Sequence, residues 1–510
     1  MDLDARTLPD GIRLEAQICI IGAGPAGISL ARELSGRDLD VLVLESGGVE
    51  REERIQDLNQ GTMVGEPYAG LRQTRHRGLG GAVHLWNTPV AGAPGAKYVP
   101  LDRCDFEERP DVSHSGWPFD RLHLEPFYRR AQVVCGLGAF AYDGEDWGDG
   151  KPPRLALASD RLTTRVYQFG TARCFTQRNL GDVRTAGNIR LCHHATVCQL
   201  ETNGAGRRVV GATIACSPGR RFDVRGAIFV LAAGAIENAR LLLSSGSSSD
   251  ALGNRHGWVG RCFMEHPRDT GLILIPHSPS LFEEAGFYDA HAARDGTIVG
   301  GRLGLPEHAI RTARLPNASV TLLPREKGPP EGTGVAARFL ARLRRLGGRR
   351  PTGGYGWSAV PNPSEVFDAF QLLVNVEQLP NPENRVVLAT TRDPLGVPMV
   401  EVHWRWREEE QAHLERLRAT LARGIEEAGL GRVRIRSGLR PDPNAHHHAG
   451  TTRMHSDPRK GAVDTDGRVH GTDNLYATGA SVFPTAGFAN PTLTIVALAL
   501  RLADHLKQRA

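Results

Sequence analysis

The chain has 510 residues, more than a single hydrophobic core usually takes, so two domains or two interwoven units are expected. Hydrophobic residues make up 40% and charged residues 23%, which is typical of a globular protein and excludes fibrous and disordered classes. The net charge of +5 is small and scattered, so no nucleic-acid partner is indicated. No stretch of about twenty apolar residues could span a bilayer, and no secretory signal is readable, which favours a cytoplasmic protein. The eight cysteines include no CxxC pair, so buried thiols in a reducing compartment are predicted.

The first 45 residues predict one strand–helix–strand unit. Residues 17–21 form a short apolar run that is typical of a buried parallel strand. Residues 25–34 follow with helical spacing and a proline at the first-turn position, where a missing N–H is tolerated. Residues 40–45 predict a second buried strand. Together they indicate the first half of a doubly wound sheet.

The turn between the first strand and the helix fits the GxGxxG pattern, with glycines at Gly22, Gly24 and Gly27. The first glycine allows a tight turn, the second lets a pyrophosphate approach the backbone, and the third lets helix and strand pack closely. The helix N-terminus supplies N–H groups for the phosphates. Glu45 ends the second strand, where a carboxylate can hold the adenosine ribose hydroxyls. The unit predicts dinucleotide binding without choosing between NAD and FAD.

The rest of the chain alternates between two patterns. Residues 188–225 predict an antiparallel meander, and residues 227–231 predict a strand that returns to the first sheet. Apolar patches and a charged helix between residues 268 and 440 predict an antiparallel sheet flanked by helices. The last helix, at residues 492–506, should pack on the first sheet. The predicted division is a discontinuous nucleotide-binding domain at 1–100, 185–267 and 441–510, and a substrate domain at 101–184 and 268–440.

Three segments near the C-terminus, at residues 447–454, 463–471 and 490–494, resemble the glucose-methanol-choline (GMC) oxidoreductase family. Gly80-Gly81 before Trp86 adds to the resemblance, which runs in the family's order along nearly the whole chain. It implies an α/β plus α+β fold, in which a Rossmann-like FAD-binding domain is interleaved with a substrate domain built on an antiparallel sheet. Within the family the chain is most similar to the sugar-oxidising branch of pyranose oxidases and fructose dehydrogenases.

The resemblance also implies roles for individual residues. His447, three residues before the Gly-Thr pair, matches the catalytic base, and Asn490 of the Asn-Pro-Thr segment matches its partner. FAD is the implied cofactor. The cofactor-binding residues expected from the motif and the resemblance together are Gly22, Gly24, Pro25, Ala26, Gly27, Glu45, Ser46, Gly80, Gly81, Val197, Ala233, Gly234, Gly479, Ala480, Pro491 and Thr492.

Two positions depart from the family pattern. Pyranose oxidases carry a covalent flavin bond on a histidine immediately before the tryptophan, whereas Leu85 stands there in this chain, so non-covalent FAD is expected. A covalent link through His84 would need a shifted loop. His455 stands where the family more often has glycine, and it either adds a polar group near the flavin or faces solvent.

These residues suit alcohol oxidation, in which a hydride passes from carbon to the flavin N5 and a base takes the hydroxyl proton. Neutral imidazole at His447 serves as the base near pH 7, and the Asn490 amide orients the same hydroxyl. The expected substrate is a small alcohol, specifically a secondary hydroxyl of a sugar, glycoside or polyol, with oxygen or another electron acceptor as second partner. Two alternatives are a flavin-containing lyase that uses the histidine for acid–base work, and a subunit that only binds flavin. Loss of His447 or Asn490 would mark the latter, and both are present.

Two further features carry open alternatives. The run of histidines at 446–448 could in principle bind a metal ion. However, adjacent residues point in different directions, and no carboxylate or cysteine stands at ligand spacing, so no metal is expected. His446 and His448 are expected to be a solvated residue and a packed one. The basic segment from Arg338 to Arg350 could dock an acidic electron acceptor or a membrane surface, although a solvated helix face is the commoner role.

Overall fold

A computed structural model describes residues 1–147, 152–157, 160–247, 250–328 and 356–509. The basic segment predicted between Arg338 and Arg350 lies outside the described residues. In the described part of the chain the α-helices are Pro25–Glu33, Glu53–Gln56, Arg103–Phe106, Arg121–Cys135, Asn179–Thr185, Ala235–Ser244, Leu281–Glu284, Glu307–Ala313, Pro363–Val366, Glu408–Glu427 and Thr492–Leu506.

The first sheet has eight strands and is parallel over most of its width. Strand Arg13–Ile21 lies between Val41–Leu44 and the long strand Arg220–Leu231, and it runs parallel to both. Its last four residues are fully buried, as expected for an apolar run covered on both faces. In spatial order the strands are Asp2–Asp4, Ile189–His193, Val41–Leu44, Arg13–Ile21, Arg220–Leu231, Val209–Ser217 and Thr196–Thr202, with Leu475–Ala477 pairing to the far half of Arg220–Leu231.

One long strand joins the parallel sheet to the predicted meander. The first half of Arg220–Leu231 pairs antiparallel with Val209–Ser217, which pairs antiparallel with Thr196–Thr202. The second half pairs parallel with Leu475–Ala477. The strand at Ile189–His193 is not part of the meander, because it runs parallel to Val41–Leu44 in the main sheet. The chain therefore leaves this sheet twice and returns to it twice, at residues 189 and 475.

The C-terminal helix packs on two helices that flank the first sheet. Helix Thr492–Leu506 packs against Pro25–Glu33, the helix of the dinucleotide turn, and against Arg121–Cys135. Its leucines and alanines are almost all buried, which explains an apolar sequence without a glycine or proline break. This packing holds the residues just before the helix, including Asn490, at the edge of the sheet where the dinucleotide turn lies.

The second sheet has nine strands and is antiparallel throughout. The predicted apolar patches at 272–275 and 370–376 lie in two neighbouring strands of it. In spatial order the strands are Gly431–Ile435, Arg268–Pro276, Phe367–Val376, Ala318–Glu326, Ile298–Gly304, Thr163–Thr171, Ala93–Tyr98 and Thr88–Val90, with His291–Ala292 beside Ile298–Gly304. Helix Glu408–Glu427 packs on this sheet through Gly431–Ile435 and Arg268–Pro276.

The predicted domain boundary at residue 100 needs correction. Strands Thr88–Val90 and Ala93–Tyr98 precede that boundary, yet they pair with Thr163–Thr171 in the antiparallel sheet. Residues 90–100 are rich in glycine and proline, which hides a two-stranded hairpin in the sequence pattern. A small three-stranded sheet pairs Arg385–Arg392 with Pro398–Trp404, which in turn pairs with Gly61–Gly65. A strand near the N-terminus therefore pairs with strands from the C-terminal half of the chain.

All eight cysteines are free thiols, and all but Cys216 are buried, which confirms the prediction of buried thiols. Burial raises the pKa of Cys19 and Cys262 to about 12, so both are neutral and unreactive at physiological pH. No helix in the described part of the chain is both long and apolar enough to cross a membrane.

Candidate functional site

One cavity of about 680 Å³ runs between the two sheets. At one end it is lined by Gly22, Gly24 and Glu45 of the parallel sheet. At the other end it reaches His447 and Asn490. Of the other cofactor residues predicted from the sequence, the cavity is also lined by Pro25, Ala26, Ser46, Gly81, Val197, Ala233, Gly234, Gly479, Ala480, Pro491 and Thr492. Chain segments that are far apart in sequence therefore form one elongated chamber.

The glycines of the dinucleotide turn are required by close backbone contacts. Gly22 has a φ of +107°, and a Cβ there would lie 2.6 Å from the Ala232 carbonyl oxygen. Gly81 has a φ of +59°, and a Cβ there would lie 2.9 Å from the Gly24 Cα. Helix Pro25–Glu33 begins at Gly24 with no side-chain cap, so its first N–H groups remain available to an anion. The cradle fits the pyrophosphate of a dinucleotide such as FAD.

Glu45 ties three loops together at this end of the cavity. Its carboxylate accepts hydrogen bonds from the backbone N–H groups of Ala23 (2.8 Å), Gly47 (3.0 Å) and Gly78 (3.0 Å). Burial raises the pKa of Glu45 above its ordinary value, although these N–H donors and Arg77 oppose the rise. The carboxylate lies on the cavity wall, where it can still meet ribose hydroxyls.

An arginine pair beside Glu45 was not foreseen from the sequence. Arg75 and Arg77 line the cavity and flank Glu237. Their guanidinium nitrogens lie 2.5 and 2.8 Å from the Glu237 carboxylate oxygens. Burial opposes ionisation of Glu237, but the two arginines together with Arg240 hold its pKa well below the ordinary value. Only the folded structure brings residues 75–77 and 237 together, and no local spacing marks them.

The histidine end of the cavity contains a connected chain of hydrogen bonds. His266 Nε2 lies 3.2 Å from the Ala486 carbonyl oxygen, so this nitrogen carries a proton. His266 Nδ1 lies 2.8 Å from His447 Nδ1. Burial lowers the pKa of His266 to about 4, so the ring is neutral and its Nδ1 accepts. His447 must then donate from Nδ1, which leaves the lone pair on its Nε2.

The free Nε2 of His447 faces the Asn490 amide. The Asn490 Nδ2 lies 3.1 Å from it and can donate to the lone pair. Burial lowers the pKa of His447 well below its ordinary value, and the neighbouring His266 and Lys97 lower it further. His447 is therefore an unprotonated base at neutral pH, with its basic nitrogen at the cavity wall.

A buried carboxyl group supports the backbone of His447. Glu265 accepts a hydrogen bond from the His447 backbone N–H (2.9 Å) and a short one from the Tyr68 hydroxyl. The Tyr68 oxygen lies 2.8 Å from His448 Nε2. Burial raises the pKa of Glu265 to about 7, although the Tyr68 and backbone donors oppose the rise. Along the chain, His266 and Glu265 lie 181 and 182 residues from His447, and Tyr68 lies 380 residues from His448. The segment of Glu265 and His266 belongs to the family resemblance, but local spacing does not reveal their contacts with the histidine run.

The three histidines at 446–448 have different surroundings. His446 is exposed, His447 contacts His266 and Asn490, and His448 packs against Tyr68. Elsewhere in the described residues, Asp4, His193 and His194 form one group with metal-ligand spacing, but Arg6 already pairs with Asp4 at 2.6 Å.

Several other predicted positions lie off the cavity. A Cβ on Gly27 would overlap the Gly22 carbonyl oxygen, so Gly27 allows helix and strand to pack and does not line the cavity. Gly80 lies behind Gly81, against His84. His84 bonds the Leu79 carbonyl oxygen at 2.8 Å and lines a smaller neighbouring cavity. His455 accepts from the Asp457 N–H at 2.9 Å and so closes a turn.

The parallel sheet with its glycine turn, the antiparallel sheet and the shared cavity are the arrangement expected of an enzyme that binds a dinucleotide between two sheets. Residues 380–499 match the family model described as GMC oxidoreductase. The chain is 26% identical to 6'''-hydroxyparomomycin C oxidase of Streptomyces lividus, over 96% of this chain and 91% of that one. It is 24% identical to the fructose dehydrogenase large subunit of Gluconobacter japonicus, over 97% of this chain and 98% of that one.

A solved structure extends the likeness to the fold. Formate oxidase of Aspergillus oryzae, from work on how a mutation affects FAD modification, superposes with a TM-score of 0.56 at 18% identity, covering 98% of this chain and 99% of that one. The fold class predicted from the sequence is thereby confirmed. Residues 380–499 are therefore similar to the GMC oxidoreductase family, and the fold of the whole chain is similar to that of the formate oxidase.

Proposed function

We propose that this protein oxidises a secondary hydroxyl group of a sugar, glycoside or polyol to a carbonyl, with His447 as the base. One observation carries the proposal: the bond from His266 leaves the lone pair of His447 Nε2 at the cavity wall, within 3.1 Å of the Asn490 amide. Relatives whose names state oxidation or dehydrogenation of sugars and aminoglycosides add support.

Each residue has a distinct part in this reaction. A hydroxyl that reaches both groups donates its proton to His447 Nε2 and accepts a hydrogen bond from the Asn490 amide. His266 keeps His447 in the reactive tautomer and receives its Nδ1–H. FAD, when bound, supplies the hydride acceptor. The glycine turn and the uncapped helix at Gly24 would hold its pyrophosphate.

Three finer points belong to the same proposal. FAD is held without a covalent bond, since Leu85 precedes Trp86 and His84 is turned to the smaller cavity. The two sheets correspond to a cofactor-binding and a substrate-binding domain, with residues 88–98 assigned to the latter. The protein works in the cytoplasm, in keeping with its free thiols.

Anaerobic mixing tests the redox reaction directly. The holoprotein is mixed with a panel of sugars, glycosides and aryl alcohols while the visible flavin absorbance is followed. Bleaching by the sugar class is expected. A lyase would form or cleave product while its flavin stays oxidised, and a yellow protein that no alcohol bleaches would overturn the proposal.

We expect Glu265 to give the reaction a pH dependence. The pKa of Glu265 is raised to about 7, so the carboxyl is neutral below that pH and anionic above it. An anion beside His447 favours the positive charge that develops when this base takes a proton. The rate of flavin reduction should therefore rise with pH through about 7, by roughly ten-fold for a charge interaction of about 1.4 kcal/mol.

The matching variants isolate this effect. Glu265→Gln removes the ionisation and should flatten the rise near pH 7, whereas Glu383→Gln, at an exposed site, should keep it. A rise that persists unchanged in Glu265→Gln would assign the ionisation to another group.

A further inference from the structure

The charges lining the cavity are unevenly distributed. Only two acidic residues line it in the described part of the chain, Glu45 and Glu237. Both belong to the dinucleotide end, where three backbone N–H groups hold Glu45 and arginines hold Glu237. The wall near His447 is formed instead by amides, histidines and two cations: Asn375, Asn444, His446, Lys97 and Arg268. The substrate end therefore offers no described partner for a positive charge.

The two cations of this wall differ in their partners. Arg268 donates to Asp442 at 2.6 Å, so its charge is offset. Lys97 extends from strand Ala93–Tyr98, opposite Phe169, and lines the cavity half-exposed. Among the described residues it has neither an ion pair nor a side-chain hydrogen bond. Its ammonium group has three N–H donors without a protein acceptor.

Lys97 also lies close to the reactive histidine. Its positive charge is one of the causes that lower the pKa of His447, after burial and His266. A cation held beside the base disfavours protonation of that base, so it opposes the chemistry unless a negative charge compensates it. Glu265 lies behind the His447 backbone, where it accepts from that N–H and from Tyr68 and does not pair with Lys97. An anionic partner for Lys97 on the cavity wall is therefore left for a bound molecule to supply.

We propose that the substrate of this enzyme carries a carboxylate, which Lys97 binds beside the hydroxyl that His447 deprotonates. The substrate class is then a sugar acid or an acidic glycoside. A single ammonium group suits a carboxylate, whereas phosphate sites usually gather arginines or several backbone donors. A bound carboxylate would also neutralise Lys97 and so restore the basicity of His447. This inference rests on the proposed oxidation of sugar hydroxyls.

The test compares three matched substrates on the holoprotein. A neutral methyl glycoside that bleaches the flavin is compared with its uronic acid and its amino-sugar analogue, and a sugar phosphate serves as a fourth arm. We expect kcat/KM for the uronic acid to exceed that for the neutral glycoside by about ten-fold or more, as for one charge-assisted contact. The amino sugar should be the poorest, and the phosphate should gain less than the carboxylate.

Variants at Lys97 assign the preference to this side chain. Lys97→Met should abolish the preference for the acid by raising KM for the acid. It should raise kcat for the neutral glycoside, because the cation that disfavours protonation of His447 is removed. Lys97→Arg should retain part of the preference. Lys327→Met removes an exposed lysine and controls for net charge; it should change nothing.

Each contrary result has a distinct meaning. A neutral glycoside oxidised as well as or better than its acid overturns the inference and leaves the proposed oxidation intact. If Lys97→Met slows the oxidation of all substrates equally and changes the flavin reduction potential, Lys97 acts on the cofactor. That result would also overturn the inference. A flavin that no sugar reduces overturns both the inference and the proposed function.

Discussion

Replacing His447 with alanine is expected to slow flavin reduction by alcohol about 10²–10⁴-fold, the range typical of a lost general base. The variant removes the only nitrogen that the His266 contact leaves free beside Asn490. The expected loss is in kcat, because proton removal occurs in the chemical step. Stopped-flow measurement of flavin bleaching under anaerobic conditions separates this step from substrate binding and from reoxidation.

His446 provides the matched control. It is the neighbouring residue, it is exposed, and no described contact links it to His266 or Asn490. Because His446 also lines the cavity wall, His446→Ala changes substrate binding at most, and at saturating substrate it should leave the rate of the chemical step close to that of the parent. Retained bleaching in His447→Ala, at a parental rate and with bound flavin, would exclude His447 as the base.

Replacing Gly27 with alanine is expected to yield protein without bound flavin. A Cβ at this position would overlap the Gly22 carbonyl oxygen, and backbone at both sites leaves little room to adjust. Helix Pro25–Glu33 would have to shift away from strand Arg13–Ile21, which displaces the N–H groups that face the cavity. The flavin-to-protein ratio of the purified variant and its thermal unfolding with and without added FAD measure the effect.

Gly181 offers a control with the same substitution. It lies in helix Asn179–Thr185, and a Cβ there would meet no atom within 4 Å. Gly181→Ala should keep full flavin content and gain stability of about 1 kcal/mol, because alanine favours the helix over glycine. A Gly27→Ala variant that binds flavin like the parent would show that this close contact is not needed.

Local patterns in the sequence were sufficient to predict these secondary-structure elements and the glycine turn that would hold the cofactor. The strand predicted at 17–21, the helix at 25–34 and the strand at 40–45 correspond to Arg13–Ile21, Pro25–Glu33 and Val41–Leu44. The C-terminal helix was predicted at the bounds it has in the structure, Thr492–Leu506. These features depend on burial periodicity and glycine sterics over a few neighbouring residues, which the sequence records directly.

The chemistry of the cavity depends on contacts between distant residues. His266 and His447 are 181 residues apart, and Tyr68 and Glu265 are 197 apart. No spacing rule encodes which buried group meets another across two sheets. For the same reason the hairpin at residues 88–98 was assigned to the wrong domain, since its pairing with Thr163–Thr171 is decided by a strand far along the chain.

From the sequence alone we could predict a dinucleotide-binding sheet, a second, antiparallel sheet, and a histidine–asparagine pair that resembles the pair of GMC oxidoreductases. The folded structure was needed to establish which nitrogen of His447 is free and that Glu265 lies buried behind its backbone. It also shows that Lys97, on the same cavity wall, has no ion pair or side-chain hydrogen bond among the described residues. The physical reason is that tautomers, buried ionisation and unpaired charges are set by neighbours in space, and folding alone chooses those neighbours.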